Sequence, residues 1–334
     1  MGDTILKVED LKTYFYLSSG VAKAVDGVSF TLDKGETLGI VGESGCGKSV
    51  TAKSLIRLLE KVGHIEEGSR IEFNGKDVLT MDNKALFDYR GKDVSMIFQN
   101  PMTSLDPVFK VGYQMVENLI THRDITKKEA WDISVEALRK VGIPQPEARM
   151  ESYPFELSGG MCQRVIIAMA LCCNAKMIIA DEPTTALDVT VQDQVLNLLK
   201  QLQRDTDMAL LLITHNLGVV WKMCDRVMVM YAGKVVESAT TEELYQNPLH
   251  PYTWGLWDAM PSLALEHKQE LKTIPGTPPD LRLTGRCCNL YNRCPHAREI
   301  CMEKVPELVE VAPGHCVACH FQTADQKLER GVSL

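Results

Sequence analysis

The sequence predicts an α/β fold arranged around a phosphate-binding loop, and three observations carry that prediction. The apolar stretch ETLGIV (36–41) runs straight into GESGCGKS (42–49), followed by the helix-forming TAKSLIRLLE (51–60). A second apolar stretch, MIIADEP (177–183), ends in two acids, Asp181 and Glu182. A third, MALLLIT (208–214), delivers His215 just past its end. Short apolar runs alternating with helical patterns read as strands of a parallel sheet, and in such sheets ligands bind beyond the carboxyl ends of the strands.

Each element has a chemical reading. GESGCGKS fits G-x-x-x-x-G-K-[ST] between a strand and a helix. Its glycines let the backbone wrap a phosphate with successive N–H groups turned inward, and the helix N-terminus adds positive potential. Gly42, Ser44, Gly45, Cys46, Gly47, Lys48, Ser49 and Val50 are therefore the candidate cradle. Lys48 is expected to reach the β- and γ-phosphates, and the Ser49 hydroxyl to ligate Mg²⁺. Asp181 is placed to hold Mg²⁺ through water, Glu182 to polarise the attacking water, and His215 to meet a γ-phosphate. Cys46 sits at a helix N-terminus, where thiol pKa values tend to fall. Its alkylation is expected to block nucleotide binding.

The bulk composition narrows the function classes. At 334 residues the chain has room for about two domains. The formal charge of −8 gives no electrostatic reason to expect nucleic acid. The start, MGDTILKVED, lacks the cationic and apolar regions of a secretory signal. The longest apolar run, VIIAMALCC (165–173), is about half the ~20 residues of a membrane span. A cytoplasmic chain that does not itself cross a membrane is expected.

LSGGMCQR (157–164) makes the pattern specific: it resembles the signature motif of ABC-transporter ATPases. The other motifs of that family occur in the expected order over about residues 4–240. Phe15 in VEDLKTYF matches the aromatic that stacks on adenine, with Tyr14 and Tyr16 as near competitors. Gln99 in IFQNP matches the Q-loop glutamine, which also reaches Mg²⁺, Asp188 in ALD the D-loop aspartate, and His215 the switch histidine. The resemblance implies an ABC-type cassette at 1–240: a β-subdomain, a RecA-like core, and an inserted helical subdomain at about 100–175. It assigns Glu182, His215 and Gln99 to catalysis. Ser158, Gly159 and Gly160 would open a helix whose N–H groups meet the γ-phosphate held by a second cassette. One chain carries one half of each such site, so the partner is either a second copy or a sister ATPase.

The periodicity supports this layout. Residues 4–95 alternate short strands and turns, including the hairpin signal NG (74–75). ITKKEAWDISVEALRKVG (125–142) places Ile125, Trp131, Val135, Leu138 and Val141 at helical spacing, and TVQDQVLNLLKQLQ (190–203) repeats Val191, Val195, Leu198 and Leu202.

Beyond residue 240 the character changes. YQNPLHPYTWGLWDAMPSL (245–263) and IPGTPPDL (274–281) resemble the C-terminal extension of peptide-transporter ATPases, a subfamily of dipeptide and oligopeptide importers with relatives handling nickel or glutathione. Trp254 and Trp257 are expected to pack this extension onto the cassette. Six of the eleven cysteines then fall at 287–319, in GRCCNLYNRCPHAREIC and PGHCVACH. Reduced cytosolic thiols disfavour disulfides. The resemblance implies a 4Fe–4S cluster on Cys288, Cys294, Cys301 and Cys319, and a Cys–Pro pair such as Cys294–Pro295 recurs around such clusters. Zinc is the alternative, since Cys316-x-x-Cys319 has zinc-ribbon spacing and His296, His315 and His320 offer nitrogen ligands. Either metal would staple residues 285–320, which hold few large apolar side chains.

The expected function is an ATP-hydrolysing motor at the cytoplasmic face of the membrane. It would work with a second cassette, two transmembrane permease subunits and, indirectly, an extracytoplasmic peptide-binding protein. The alternative is a soluble ABC-type ATPase of DNA repair, translation or cluster assembly, whose nucleic-acid-acting members usually carry two cassettes per chain.

Overall fold

The computed structural model describes residues 3–184, 187–259, 274–323 and 326–330. The last four residues of the stretch 245–263, and Ala186 of the D-loop triplet, therefore lie outside the described residues. The strands are β1 (Thr4–Leu17), β2 (Gly20–Asp33), β3 (Thr37–Val41), β4 (Gly63–Ile65), β5 (Arg70–Phe73), β6 (Lys76–Asp77), β7 (Val94–Ile97), β8 (Met177–Asp181), β9 (Ala209–Ile213), β10 (Arg226–Tyr231), β11 (Lys234–Thr240), β12 (Val309–Ala312) and β13 (His315–Val317). The chain divides into two compact units, Met1–Ile5 with Leu32–Thr37 and Asp77–Ile213, and Leu6–Thr31 with Leu38–Lys76 and Thr214–Leu334.

The unit dominated by 77–213 combines a parallel sheet with helices. β7 pairs with β8 from Val94↔Met177 to Ile97↔Ala180, and β8 with β9 from Met177↔Ala209 to Asp181↔Ile213. Every residue of β8 and β9 is buried, as expected of parallel strands covered on both faces. Residues 101–172 supply only helices: Pro101–Ser104, Val111–His122, Lys127–Lys140, Pro146–Met150 and Gly159–Cys172, with a 3₁₀ turn at Pro154–Glu156. Helix Lys127–Lys140 starts where Thr126 and Glu129 form a reciprocal capping box. Its buried stripe is Ala130, Ser134, Val135 and Leu138, while Trp131 is only half-buried. Helix Val189–Thr206 buries Val195, Leu196, Leu199 and Gln203, a stripe rotated from the expected Val191, Val195, Leu198 and Leu202. Gln203 is part of the buried stripe, and its side-chain amide donates to the Gly35 carbonyl.

The unit containing 38–76 and 214–334 holds an antiparallel sheet in the order β2-β1-β5-β6, with β4 on β1. In the same unit β3 pairs parallel with β10, and β10 antiparallel with β11. The C-terminal extension continues from β11, since β13 pairs with it at Glu237↔Val317 and β12 pairs in turn with β13.

That extension is fixed around a buried carboxylate. Glu237 is fully buried, and a charge there is tolerated only when well paired. It accepts from the N–H groups of Leu249 (2.6 Å) and His250 (3.0 Å), and His315 Nε2 donates at 2.8 Å. Trp254 is 2% exposed, with its Nε1 donating to Pro248 O and its ring edge-on to His296, both within the extension, whereas Trp257 is half-buried.

His250 gives a pH prediction. Its Nδ1 accepts from the Tyr252 N–H, and burial lowers its pKa to about 4. The folded value lies below the ordinary 6.5, so between these pH values the unfolded chain binds more protons. Stability is therefore expected to fall as pH drops from 6.5 toward 4, by about 2–3 kcal/mol from this group. His250→Asn, which keeps an acceptor for Tyr252, should flatten that slope in thermal melts taken across the window.

Candidate active site

β3 ends at Val41, and the loop 42–47 turns from it into helix Lys48–Leu55. The turn is possible only because of two glycines. Gly42 has φ 151°, and a Cβ there would lie 2.2 Å from Met230 O. Gly47, the residue before the helix, has φ 108°, and its Cβ would lie 2.2 Å from Ala24 O. Gly45 also has positive φ, but the space around it is open. Lys48 is 6% exposed, and its Nζ donates to Gly42 O at 2.8 Å and Glu43 O at 2.9 Å. Its charge thus sits within the loop, as the phosphate reading requires. Ser44 and Gly45 are exposed, and Ser49 and Val50 are half-buried.

Cys46 departs from expectation. It is 4% exposed, and desolvation raises its pKa more than the neighbouring Lys48 charge lowers it. Burial outweighs the helix terminus, so the thiol is protonated and shielded. In the native protein N-ethylmaleimide is expected to label the half-buried Cys287 well before Cys46. Peptide mass mapping against labelling time checks this, and early modification of Cys46 contradicts it.

In the same unit the aromatic assignment separates by strand face. Thr13 is fully buried with its Oγ1 2.8 Å from Ser54 Oγ on the phosphate-loop helix. Phe15, two residues on, shares that face of β1. Its half-buried ring lies over Gly63, where a Cβ would come within 3.0 Å. Tyr14 points the other way, donating to Asp26 at 2.6 Å, and Tyr16 donates to Glu66 at 3.0 Å. Phe15 alone is on the helix side. His215 is exposed, directly before Asn216, whose side chain caps helix Leu217–Met223.

The other unit gathers the acidic residues. β7 leads to Gln99 and its neighbour β8 leads to Asp181 and Glu182, so parallel pairing brings them together. Gln99 Nε2 donates to Glu182 Oε2 at 2.9 Å. Asp181 is 3% exposed. Glu182 has φ 48°, uncommon for a side-chain-bearing residue, and its N–H donates to Ile213 O. Such conformations cluster at active sites. In this unit Ser158 caps helix Gly159–Cys172 by accepting from the Met161 N–H. Ser158 and Gly159 are exposed, Gly160 is half-buried, and among the described residues no atom lies within 4 Å of a Cβ placed on Gly159. Asp188 caps helix Val189–Thr206, accepting from Val191 N–H at 3.0 Å. The sequence reading gave Asp188 no such structural role.

The tail corrects the metal expectation. Cys288, Cys294, Cys301 and Cys319 line one cavity of about 20 Å³, room for a single water. Burial pushes the Cys288 thiol up to about 12 and the Cys294 thiol up to about 11, and raises Cys319. Among the described residues no group of three or more His, Cys, Asp or Glu is arranged to hold a metal ion. The zinc alternative meets the same obstacle. Cys316 lies in β13 opposite Ser238 and Glu310, His315 is spent on Glu237, His296 stands edge-on to Trp254, and His320 Nε2 bonds Lys304 O. The arrangement does not support the expected iron–sulfur cluster.

Two residues without a sequence signal, Arg293 and Tyr252, also reach the phosphate loop. Arg293 forms a two-pronged ion pair with Glu43, and Tyr252 Oη accepts from the Glu43 N–H at 2.8 Å. No spacing signal links positions 250 residues apart.

The fold and these motifs define a phosphate-loop cassette, and comparison with known proteins refines the class. The model described as "ABC transporter" matches residues 25–185, and that described as "Oligopeptide/dipeptide transporter, C-terminal region" matches 236–301. The chain is 49% identical to an oligopeptide transport ATP-binding protein of Bacillus subtilis, covering 94% of this chain and 87% of the relative. It is 48% identical to that of Salmonella typhimurium (98% and 96% covered) and 46% identical to a dipeptide transport ATP-binding protein of Bacillus subtilis (99% and 98%). None of these descriptions mentions iron or sulfur. Among solved structures, a dimeric ATP-binding cassette bound to ADP and phosphate superposes with TM-score 0.65 at 24% identity, over 71% of this chain and 99% of that one. A cassette from Clostridium perfringens, part of an ABC transporter complex, gives 0.61 at 28% identity, over 73% and 92%. The chain belongs to the ABC transporter family of ATP-binding proteins, and it carries the C-terminal region characteristic of the oligopeptide and dipeptide transporters.

Proposed function

We propose that the chain is the ATP-hydrolysing subunit of an importer of dipeptides or oligopeptides. The observation that carries this reading is the pairing of a full set of nucleotide motifs with a peptide-transporter C-terminal region in one chain. Near-full-length identity of 46–49% to peptide transport ATP-binding proteins supports it. It also weighs against a soluble ATPase of DNA repair, translation or cluster assembly. The two family matches favour a cassette at 1–240 and an extension at 241–334.

The roles are those that the family resemblance implies for these residues. Phe15 stacks on adenine. Gly42 and residues 44–50 hold the phosphates, with Lys48 on the β- and γ-phosphates. Ser49, Asp181 and Gln99 hold Mg²⁺, which when bound offsets the charge of the phosphates. Glu182 takes the proton from the attacking water, and His215 contacts the γ-phosphate. Ser158, Gly159 and Gly160 serve the nucleotide of a second cassette, a sister subunit or a second copy, and Asp188 lies at that junction. Binding of ATP closes the pair, and hydrolysis reopens it. No helix among the described residues is long and apolar enough to cross a membrane. By its likeness to peptide transport ATP-binding proteins, the subunit works on the cytoplasmic face of two permease subunits, with an extracytoplasmic peptide-binding protein beyond them. Nucleic acid has no part in the cycle.

The test is hydrolysis by the assembled transporter in vesicles. Peptide-loaded binding protein should raise turnover severalfold over empty binding protein. Stimulation by nickel or glutathione, and not by peptide, would reassign the substrate.

A further inference from the structure

The chain places an arginine of the Cys-rich tail directly on the phosphate loop. Arg293, the first residue of RCPHAREIC, has a side chain only 4% exposed. Its Nη1 donates to Glu43 Oε2 at 2.7 Å and its Nη2 to Glu43 Oε1 at 2.9 Å, a two-pronged pair. The remaining N–H groups reach Tyr231 Oη (3.3 Å), Pro275 O (2.8 Å) and Ile274 O (3.2 Å). All five donors are used, so the guanidinium has one orientation. Glu43 is the second residue of the loop, and it is held at both its carboxylate and its backbone. Its N–H donates to Tyr252 Oη, and the Tyr252 ring packs on Tyr231 with centroids 4.6 Å apart. The Glu43 carbonyl in turn accepts from Lys48 Nζ. A continuous set of contacts therefore runs from the tail, through Glu43, to the lysine assigned to the phosphates.

We propose that Arg293 is a positioning residue for the nucleotide: by clamping Glu43 it fixes the entry of the phosphate loop, so the C-terminal extension sets the affinity for ATP. Glu43 alone is a short-range loop residue with two torsions free at its carboxylate end. The clamp removes that freedom before the nucleotide arrives, and a preorganised loop binds more tightly than one that must be ordered. The inference rests on the ATP-site reading but adds a control element outside the cassette motifs.

The experiment measures KM for Mg-ATP and kcat in the assembled transporter for Glu43→Gln, Arg293→Gln, the double variant and Arg293→Lys. Each single change to Gln should raise KM about tenfold with kcat held within about twofold. The double variant should be no worse than either single, because both break one interaction. Lysine keeps the charge but not the fork, so Arg293→Lys should recover only part of the affinity. An arginine that merely anchors the tail would lower the melting temperature and leave KM unchanged, which overturns the proposal, as would additive effects in the double variant. If Arg293→Gln does not fold, Glu43→Gln decides: an unchanged KM there overturns the proposal. Failure of the ATP-site reading is distinguishable, since the wild type would then show no Mg-ATP hydrolysis at all.

Discussion

Glu182→Gln should retain ATP binding and lose at least about a hundredfold in turnover, the usual range for removing a positioned general base. The substitution preserves shape and leaves an amide oxygen to accept from Gln99 Nε2, the 2.9 Å contact that orients the side chain. The backbone is held independently, by the donation from Glu182 N–H to Ile213 O and by the β8–β9 register beneath it. The left-handed φ of 48° is therefore kept, and only the proton acceptor is lost. The expected readout is a kcat collapse with KM for ATP within a few-fold of wild type. A kcat near wild type would move the base elsewhere, and loss of ATP binding would mean that Glu182 serves the loop and not the water.

Gly47→Ala is expected to abolish measurable ATP binding at concentrations that saturate the wild type. A Cβ at this position would stand 2.2 Å from the Ala24 carbonyl oxygen, a backbone atom of β2 that cannot swing away like a side-chain tip. The φ of 108° adds strain whatever the space. The loop must therefore shift at the start of helix Lys48–Leu55, where Lys48 and Ser49 take their positions. Gly45→Ala is the internal control. Its φ of 79° costs about 1–2 kcal/mol in the left-handed region, but no atom lies within 4 Å of the new methyl. That variant should weaken ATP binding only modestly. Equal loss in both would show that conformational freedom, not contact with Ala24, governs the loop.

What the sequence made legible was local. The phosphate loop and the buried parallel strands express interactions within a few positions, and a residue pattern records them. The long-range terms were not legible. The buried stripe of helix Val189–Thr206 includes Gln203, which is bonded to Gly35, a partner far off in sequence. Cys46 looked reactive from its place at a helix terminus, yet the packing around it decides its chemistry. The family resemblance implied a cluster on the tail cysteines, while among the described residues no group of three or more His, Cys, Asp or Glu is arranged to hold a metal ion. Within the same motif, Arg293 had no local signature, and its meaning came only from Glu43.

The central claim is that ATP consumed by this chain moves peptide across a membrane. The most direct measurement is accumulation of a labelled oligopeptide in vesicles holding the permease subunits and both cassettes, with binding protein on the opposite side. Mg-ATP should drive uptake with the wild-type chain and fail to do so with Glu182→Gln, although the variant still binds ATP. Uptake that continues with Glu182→Gln, or wild-type hydrolysis that never moves peptide, would contradict it.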